Sequence, residues 1–435
     1  MINLERTAVG KAVFTVLLVF AVSSYYFPFG LSFLPGALNT KQILGVLGIL
    51  VFVFNCIRDR GVYLHRYVGV SCFLACVFSV WCFFCCVYNN TEDYAYAKYF
   101  LSFFVWMGGA YGLVSLIKAN HGKPVDLAMI TKYLTAACVL QCVLVLMVDN
   151  IPWFQNLVDT YIEQGARPKE VKRLYGIGCS LDSGGVRFCT VLVLIAHQLA
   201  TNKEVTSSRK AVYLYVGAFF IISVIGNMVA RTTTVGMVLG LAYIAVTLGV
   251  AHKAVISKRQ IIFWSVFLVL LAATIGVGIY YYNNDPEMKH NIRFAFEAFF
   301  NFVEKGELRT SSSDVLMERM WVWPRTEEEW VFGMGLFEWG YFYGLGMQTD
   351  IGYCRFALYC GLPGLILFAL YFIYNASVVA RKFKDSRLLA LMLCALTFII
   401  WIKVSTDIFQ LYALLFCIIG DYELEELEAE TELEE

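Results

Sequence analysis

Glu318-Arg319-Met320-Trp321-Val322-Trp323-Pro324-Arg325 lies inside the one long polar interval of this chain, Tyr282 to Asp350. Apolar runs near 261–281 and 352–380 flank it, and each is long enough to cross a hydrocarbon layer of about 30 Å. Helices in a bundle are ordinarily joined by a few residues, so a connection of this length is more than a joint. The interval therefore reads as a working segment. Arg293, Arg309, Glu318, Arg319, Arg325, a Gly333-Met334-Gly335 turn and Asp350 are its chemical endowment.

Composition supports that reading. Of 435 residues, 59% are hydrophobic and 16% charged, with a mean hydropathy of +0.65, whereas a soluble domain carries about 25% charged residues. This predicts a polytopic membrane protein and gives no footing for nucleic-acid binding. Apolar runs fall near 11–29, 42–57, 68–88, 97–117, 130–149, 186–200, 211–229, 233–251, 261–281, 352–380, 388–403 and 407–420. A backbone in lipid must satisfy its own hydrogen bonds, so each run is expected to be a helix and the fold all-α. The chain divides accordingly: five spans in 1–149, a first large loop at 150–185, four spans in 186–281, a second large loop at 282–351, three spans in 352–420 and an acidic tail from 421 to 435.

Lysine and arginine in the short connections set the expected orientation. Even-numbered connections carry Arg58, Arg60 and Arg66; Lys118 and Lys123; Lys203, Arg209 and Lys210; Lys253, Lys258 and Arg259; and Arg381, Lys382, Lys384 and Arg387. Short odd-numbered connections carry about one each, namely Lys41, Lys98, Arg231 and Lys403. Both termini are then cytoplasmic, with the two long loops outside. Nine of the 34 acidic residues sit in 421–435, so the remainder has 34 basic residues against 25 acidic ones. Leu424 and Leu427 give that tail a weak amphipathic pattern, but a solvated extension is the plainer reading.

The fourteen cysteines are scattered, and Cys72, Cys76, Cys82, Cys85 and Cys86 lie deep in apolar runs. They read as packing residues rather than a disulfide framework or zinc site. The first apolar run continues to Tyr25-Tyr26-Phe27 without a small-residue cleavage site, so it is expected to stay in the mature chain. His65, His121, His197 and His252 fall at cytoplasmic helix ends or loops and His290 outside. A lone loop histidine is exposed by default, and no cofactor or metal is expected.

The outer-facing arginines carry the chemical argument. Asp182-Ser183-Gly184-Gly185-Val186-Arg187-Phe188 and Asp350-Ile351-Gly352-Tyr353-Cys354-Arg355-Phe356 share the phrase Asp-x-Gly-x-x-Arg-Phe, each where an outside-to-inside helix begins. An ionisable residue there is a functional candidate by default, with a snorkelling head group as the alternative. Local Asp–Arg pairing without any chemistry is the bland reading of the two phrases. Arg173, Arg187, Arg231, Arg319, Arg325 and Arg355 together suit bidentate recognition of a phosphate or diphosphate. Trp321, Trp323, Trp339, Tyr341 and Tyr343 suit stacking on sugar rings, and equally the aromatic belt of a membrane interface.

In these features the chain resembles the bacterial O-antigen polymerase (Wzy-type) and O-antigen ligase superfamily of integral membrane glycosyltransferases. Arg173 is followed after ten residues by Gly184, and Arg319 after fifteen by Gly335, similar to that family's arginine-to-glycine patterns in its two large loops. Asp350-x-Gly352-Tyr353 and Gly361-Leu362-Pro363-Gly364-Leu365 are similar to its closing signature, and Ala230-Arg231-Thr232 to its arginine turn. Ligases of the family usually place a histidine near Gln348-Thr349-Asp350; its absence from this segment favours a polymerase.

The resemblance implies a GT-C-like bundle in a bacterial inner membrane. It would transfer a glycan from polyprenyl diphosphate to a lipid-linked repeat unit on the periplasmic face, alongside a chain-length regulator and a flippase. It makes Arg319 and Asp350, with Glu318 as an alternative base, the catalytic candidates. Arg173, Arg187, Arg231, Arg325, Arg355, Gly184, Gly335 and Tyr353 become the substrate-binding ones. Two other classes remain open: an O-antigen ligase transferring to lipid A core, and a transporter, for which internal repeats and mid-membrane charges would be expected. A classical lipid-dependent glycosyltransferase would place an acidic pair in the first outer loop, where 30–41 has none and only Glu92 and Asp93 in the next could serve.

Overall fold

The structure is a computed structural model and describes residues 8–36, 38–58, 60, 65–163, 173–247, 258–307, 309–337, 349–383 and 386–420. The acidic tail, His252, Lys169 to Lys172, Gln348 and the aromatic run Trp339 to Gly344 lie outside the described residues. The chain is built almost entirely of helices. In order they are α1 Ala8–Tyr26, α2 Thr40–Arg58, α3 Arg66–Tyr88, α4 Tyr99–His121, α5 Leu127–Asn150, α6 Pro152–Tyr161, α7 Leu181–Thr201, α8 Lys203–Ser207, α9 Arg209–Val229, α10 Thr233–Ala245 and α11 Lys258–Asn284. Four short helices follow, α12 Pro286–Ala295, α13 Glu297–Lys305, α14 Ser311–Arg319 and α15 Glu327–Phe332, and then α16 Gly352–Lys382 and α17 Arg387–Ile400. The last described helix, α18, is Phe409–Gly420. Two residues each of β1 (Gly30–Leu31) and β2 (Ile162–Glu163) pair antiparallel.

Every apolar run read from the sequence holds a helix over its described residues. Eight helices among the described residues are long and apolar enough to cross a membrane, and four shorter apolar ones, α1, α10, α17 and α18, occupy the remaining runs. Helix α7 is central, with 83% of its apolar window buried, whereas α2 is peripheral at 11%. Without a hydrophobic drive between helices in lipid, close backbone approach has to supply packing. It does so where α2 meets α4: a β-carbon at Gly45 would stand 2.8 Å from Val105 O, and one at Gly112 would stand 2.9 Å from Gly48 Cα.

The two segments read as large loops are partly helical. Helix α6 follows directly on α5, and α7 begins at Leu181 rather than at 186. The 282–351 interval holds four helices, three of which are closed by local caps. Thr310 and Thr326 close capping boxes with Ser313 and Glu329, and Gly306 ends α13 in the left-handed conformation at φ +76°. The two boxes satisfy orphan N–H groups and the Gly306 N–H donates to the Phe302 carbonyl, in short helices that lack the length to be stable alone.

His197 departs from expectation. It is buried at 5% exposure, its Nδ1 pairs with Tyr243 Oη at 2.8 Å, and its Nε2 pairs with Ser386 Oγ at 3.1 Å. The ring fastens α7 to α10 and to the start of α17 and is a satisfied core histidine. Neighbours of a helix end, rather than the end itself, decide exposure.

All functional candidates gather at the opposite end of the bundle. Tyr26 from the end of α1 bonds Thr190 of α7. Lys41 at the start of α2 bonds Ser102 at the start of α4. Tyr25 Oη donates to Trp106 O at 3.1 Å and Gln410 O at 3.0 Å, and Gln141 of α5 donates to Ser23 Oγ at 2.9 Å.

Candidate functional site

The site is built on the first turn of α7. Asp182 stands there, where a carboxylate is favoured by the helix dipole, and Gly185 leaves room for the Ala230–Thr233 turn. A β-carbon at Gly185 would lie 2.9 Å from Ala230 Cβ and 3.2 Å from Thr232 Cβ. The close approach lets Thr232 donate its hydroxyl to Asp182. Lys403, in the turn after α17, completes a triangle with its Nζ 3.0 Å from Asp182 Oδ1 and 2.9 Å from Thr232 Oγ1. Asp182 therefore pairs with Lys403 and not with Arg187, five residues along its own helix. The Asp-x-Gly-x-x-Arg phrase is not a local ion pair here.

Arg231, next to Thr232, forms an ion pair with Glu297 at the start of α13; their side chains are 12% and 24% exposed. Phe294 is shared by two cations: the Arg231 guanidinium is 4.4 Å and that of Arg173 4.9 Å from its ring centroid. Burial, and then the neighbouring Arg173 guanidinium, push Arg231 below its ordinary pKa, while Asp182 pulls it back. Both guanidinium groups thus take a favourable contact with one ring, and Glu297 is the carboxylate paired with Arg231. Glu297 also accepts the Ser311 N–H at 2.8 Å, which joins the first residue of α14 to the same cluster.

Arg319 lies at the other end of α14, roughly 12 Å along the helix axis from Ser311. Arg319 and Glu318 are both exposed. Thr349 Oγ1 donates to Met320 O, so the backbone beside Arg319 is tied to the backbone beside Asp350. Asp350 is half-buried. Two residues on, Gly352 packs on the Trp401–Val404 turn that carries Lys403; a β-carbon there would stand 2.7 Å from Val404 O. A closed circuit results: Arg319, Met320, Thr349, Asp350, Gly352, Lys403, Asp182, Thr232, Arg231, Glu297, Ser311 and back along α14.

Other candidates sit outside that circuit. Tyr353 fastens α16 to α17 by donating its hydroxyl to Phe398 O at 2.9 Å. Gly184 packs on Cys179, whose Sγ would be 3.0 Å from a β-carbon. Arg325 is exposed at the start of α15, where its N–H donates to Glu329 Oε2 at 2.7 Å. Arg355 donates through Nη2 to Phe337 O at 2.9 Å and through Nη1 to Ser405 Oγ at 3.4 Å, with its guanidinium 4.2 Å from the Phe337 centroid. Arg187 is half-buried below Asp182 and donates to Ser183 O at 3.1 Å.

Gly335 marks how the polar interval docks. Helix α16 is broken at Cys360 and Gly361, where Gly361 has φ 67° and ψ 179°, a region essentially reserved for glycine. Pro363 has no N–H for the Tyr359 carbonyl four residues back. The break frees three carbonyls, and other elements satisfy them: Met334 N–H donates to Leu358 O at 2.6 Å, Gly335 N–H to Tyr359 O at 3.0 Å, and Trp81 Nε1 to Cys360 O at 2.8 Å. The two glycine phrases of the sequence are thus partners in space. Beside them, Trp321, Trp323 and Trp330 form a ladder with centroids 5.8 Å apart at each step, each 37–38% exposed.

Sequence reading missed Lys403, Glu297, Phe294 and Trp330. Lys403 had a signal: it is a cation at an outer connection, as Arg231 is. Glu297 and Phe294 had none, because their place depends on how α12 packs on α9. Comparison of the chain with protein-family models, with curated proteins and with solved structures finds no match in any of the three.

Proposed function

We propose that this protein is a membrane glycosyltransferase of the O-antigen polymerase kind, elongating a glycan carried on polyprenyl diphosphate at the periplasmic face of a bacterial inner membrane. In this reading the eight long and four shorter apolar helices make twelve spans in a GT-C-like bundle, with both termini cytoplasmic. The donor diphosphate binds at Arg173, Arg231 and Lys403, with Arg187 and Arg319 beside it. The supporting observation is the pair of guanidinium groups stacked on Phe294, with Lys403 on the adjoining Thr232, at one end of a helical membrane bundle.

The chemistry follows from the cations. No nucleotide sugar is needed where the sugar arrives already activated, and the diphosphate leaves with negative charge that fixed donors stabilise. The acceptor hydroxyl loses its proton to Asp350, the half-buried carboxylate tied through Thr349 to the Arg319 segment. The Trp321–Trp323–Trp330 ladder offers indole faces to the glycan. The test is reconstitution in vesicles with lipid-linked repeat units. Lengthening without any gradient supports the polymerase; movement across the bilayer without lengthening overturns it in favour of a transporter, and transfer only to lipid A core overturns it in favour of a ligase.

A further inference from the structure

Helix α6 presents an apolar stripe that nothing among the described residues covers. Trp153, Leu157 and Tyr161 recur every four residues and so share one face; they are 45–65% exposed. The opposite face holds the helix in place. Val158 is buried in a cluster with Val148 and Tyr175, and Asp159 Oδ1 accepts the Tyr175 hydroxyl at 2.9 Å. Phe33, 69% exposed, stands beside the far end of the stripe, because the Ser32 N–H donates to Tyr161 O at 3.0 Å and Ser32 Oγ to Thr160 O at 2.7 Å.

The spans set the height of this patch. Only Ile151 separates α5 from α6, and its extended backbone, enforced by Pro152, turns the chain off the α5 axis. At the other end, Ile162–Glu163 pairs with Gly30–Leu31. Gly30 also bridges to Asn39, and Thr40, the first residue of α2, accepts the Phe29 N–H at 3.1 Å while donating to Ser24 O near the end of α1 at 2.9 Å. Tyr161 and Phe33 are thereby held at the level where α1 ends and α2 begins. The 10 residues of α6 reach about 15 Å, so the whole stripe stays within one short helix of the span ends. Exposed apolar surface resumes on α2 at Ile43, Val46 and Leu47.

That height and that continuity with α2 name the occupant. A polar headgroup layer bounds the hydrocarbon on each side of a bilayer, and tryptophan and tyrosine concentrate there. A protein partner is a poorer fit. Three aromatic side chains of about 200 Å² and one leucine, half exposed, offer roughly 400 Å², against about 800 Å² per partner in a standard interface. Charge narrows the lipid. Residues 29–40 and 150–163 contain no lysine or arginine, and Asp159 and Glu163 are their only charged residues, so insertion is apolar and draws nothing from anionic headgroups. We propose that α6 and the Phe33 turn form an interfacial anchor seated in the headgroup layer of one leaflet of zwitterionic or neutral lipid, and that it fixes the segment from Arg173 to Asp182 against the bilayer surface through Tyr175. The inference rests on the bundle crossing a membrane and is independent of the glycan chemistry.

The test uses the full chain in nanodiscs of phosphatidylcholine carrying a photoreactive diazirine at the headgroup end of one acyl chain, with cross-linked residues mapped by mass spectrometry. Label is expected on Phe33, Trp153, Leu157 and Tyr161 as well as on α2, and not on the buried Val158. Leu157→Asp lowers the label on α6 by about fivefold or more, Leu157→Met retains it, and exchange of half the lipid for phosphatidylglycerol leaves it unchanged. Label on α2 with none on α6 or Phe33 overturns the proposal while the membrane reading stands; label on neither overturns both. Cross-links from α6 to another protein in native membranes, in place of lipid, overturn it in favour of a docking partner, and a yield that rises with the anionic fraction overturns it as well. Unchanged label in Leu157→Asp or, should that variant fail to fold, in Tyr161→Ser likewise removes the anchor.

Discussion

The Gly335 N–H donates at 3.0 Å to the Tyr359 carbonyl, the acceptor that Pro363 leaves without its helical partner. The polar interval is therefore a structural part of α16, because it supplies hydrogen bonds that the broken helix cannot make for itself. A freed carbonyl at membrane depth without such a partner would cost several kcal/mol. The same docking sets Phe337 over Arg355, so the arginine nearest the break is held by the segment that repairs it.

Gly335→Ala should loosen this joint. The residue sits at φ +64°, and an added β-carbon would stand 2.5 Å from Thr91 Oγ1 and 3.2 Å from Cys86 Cα. Left-handed backbone and overpacking together predict a loss of about 2–4 kcal/mol. Thermal unfolding in detergent measures it. Thr91→Ala should not rescue it, since the same hydroxyl donates to Gly335 O at 2.7 Å; an unchanged midpoint in Gly335→Ala would mean that the turn does not dock as described.

The Arg231–Glu297 pair separates stability from chemistry. Arg231→Gln leaves the Glu297 carboxylate half-buried with Ser311 as its remaining partner, at an expected cost of about 1–3 kcal/mol. Adding Glu297→Gln removes the orphaned charge and should recover most of that stability. Glycan lengthening should not recover, because the cation facing Phe294 is still missing. If the double variant regains both, Arg231 is a structural residue.

How much of this was legible in the sequence depends on the range of the interaction. Periodicity and hydropathy located every apolar helix because backbone hydrogen bonding in lipid allows little else. The Ala230-Arg231-Thr232 turn was readable for the same local reason. The Lys403–Asp182 contact was not, since it joins residues 221 apart in sequence, and no local rule selects one cation among several for one carboxylate. The expectation that Asp182 and Arg187 pair locally would need their side chains to meet across more than one helical turn. The close packing at Gly185 gave Asp182 a nearer partner instead.

Arg293 is the control for these arguments. It pairs with Glu304 at 2.8 Å, but both side chains are more than 40% exposed. The guanidinium holds the Glu304 carboxyl below its ordinary range, and water screens what that interaction contributes to folding. Arg293→Ala should leave both the unfolding midpoint and glycan lengthening unchanged. A marked loss of either would mean that α12 and α13 are packed more tightly than this pair indicates.

The tryptophan ladder should govern chain length rather than folding. Each indole is partly exposed, and Trp323 stacks between the other two, so Trp323→Leu removes faces on both sides of the ladder. Base or sugar stacking on an aromatic ring is worth about 1 kcal/mol or more per ring. The expected result is a shorter product distribution at unchanged protein level, read on a gel of the polymer. Reduced protein level with normal chain length would instead make the ladder a membrane-interface belt.

Arg319 gives the sharpest division between folding and function. It ends α14 exposed, and among the described residues its side chain makes no hydrogen bond or ion pair, so Arg319→Ala should change stability by no more than about 0.5 kcal/mol. A donor aimed at charge developing on a leaving diphosphate is worth about a hundredfold or more in rate, so lengthening should fall by that factor at normal protein level. Asp350→Asn should act in the same assay with a different signature. It keeps the shape of the Thr349–Ile351 turn, in which the Ile351 N–H donates to Thr349 Oγ1 at 3.2 Å, and removes the capacity to take a proton. Binding of the lipid-linked donor should then survive Asp350→Asn and weaken in Arg319→Ala. Full polymer length and amount in both variants would remove both residues from the machinery and leave the Phe294 cluster to account for the reaction.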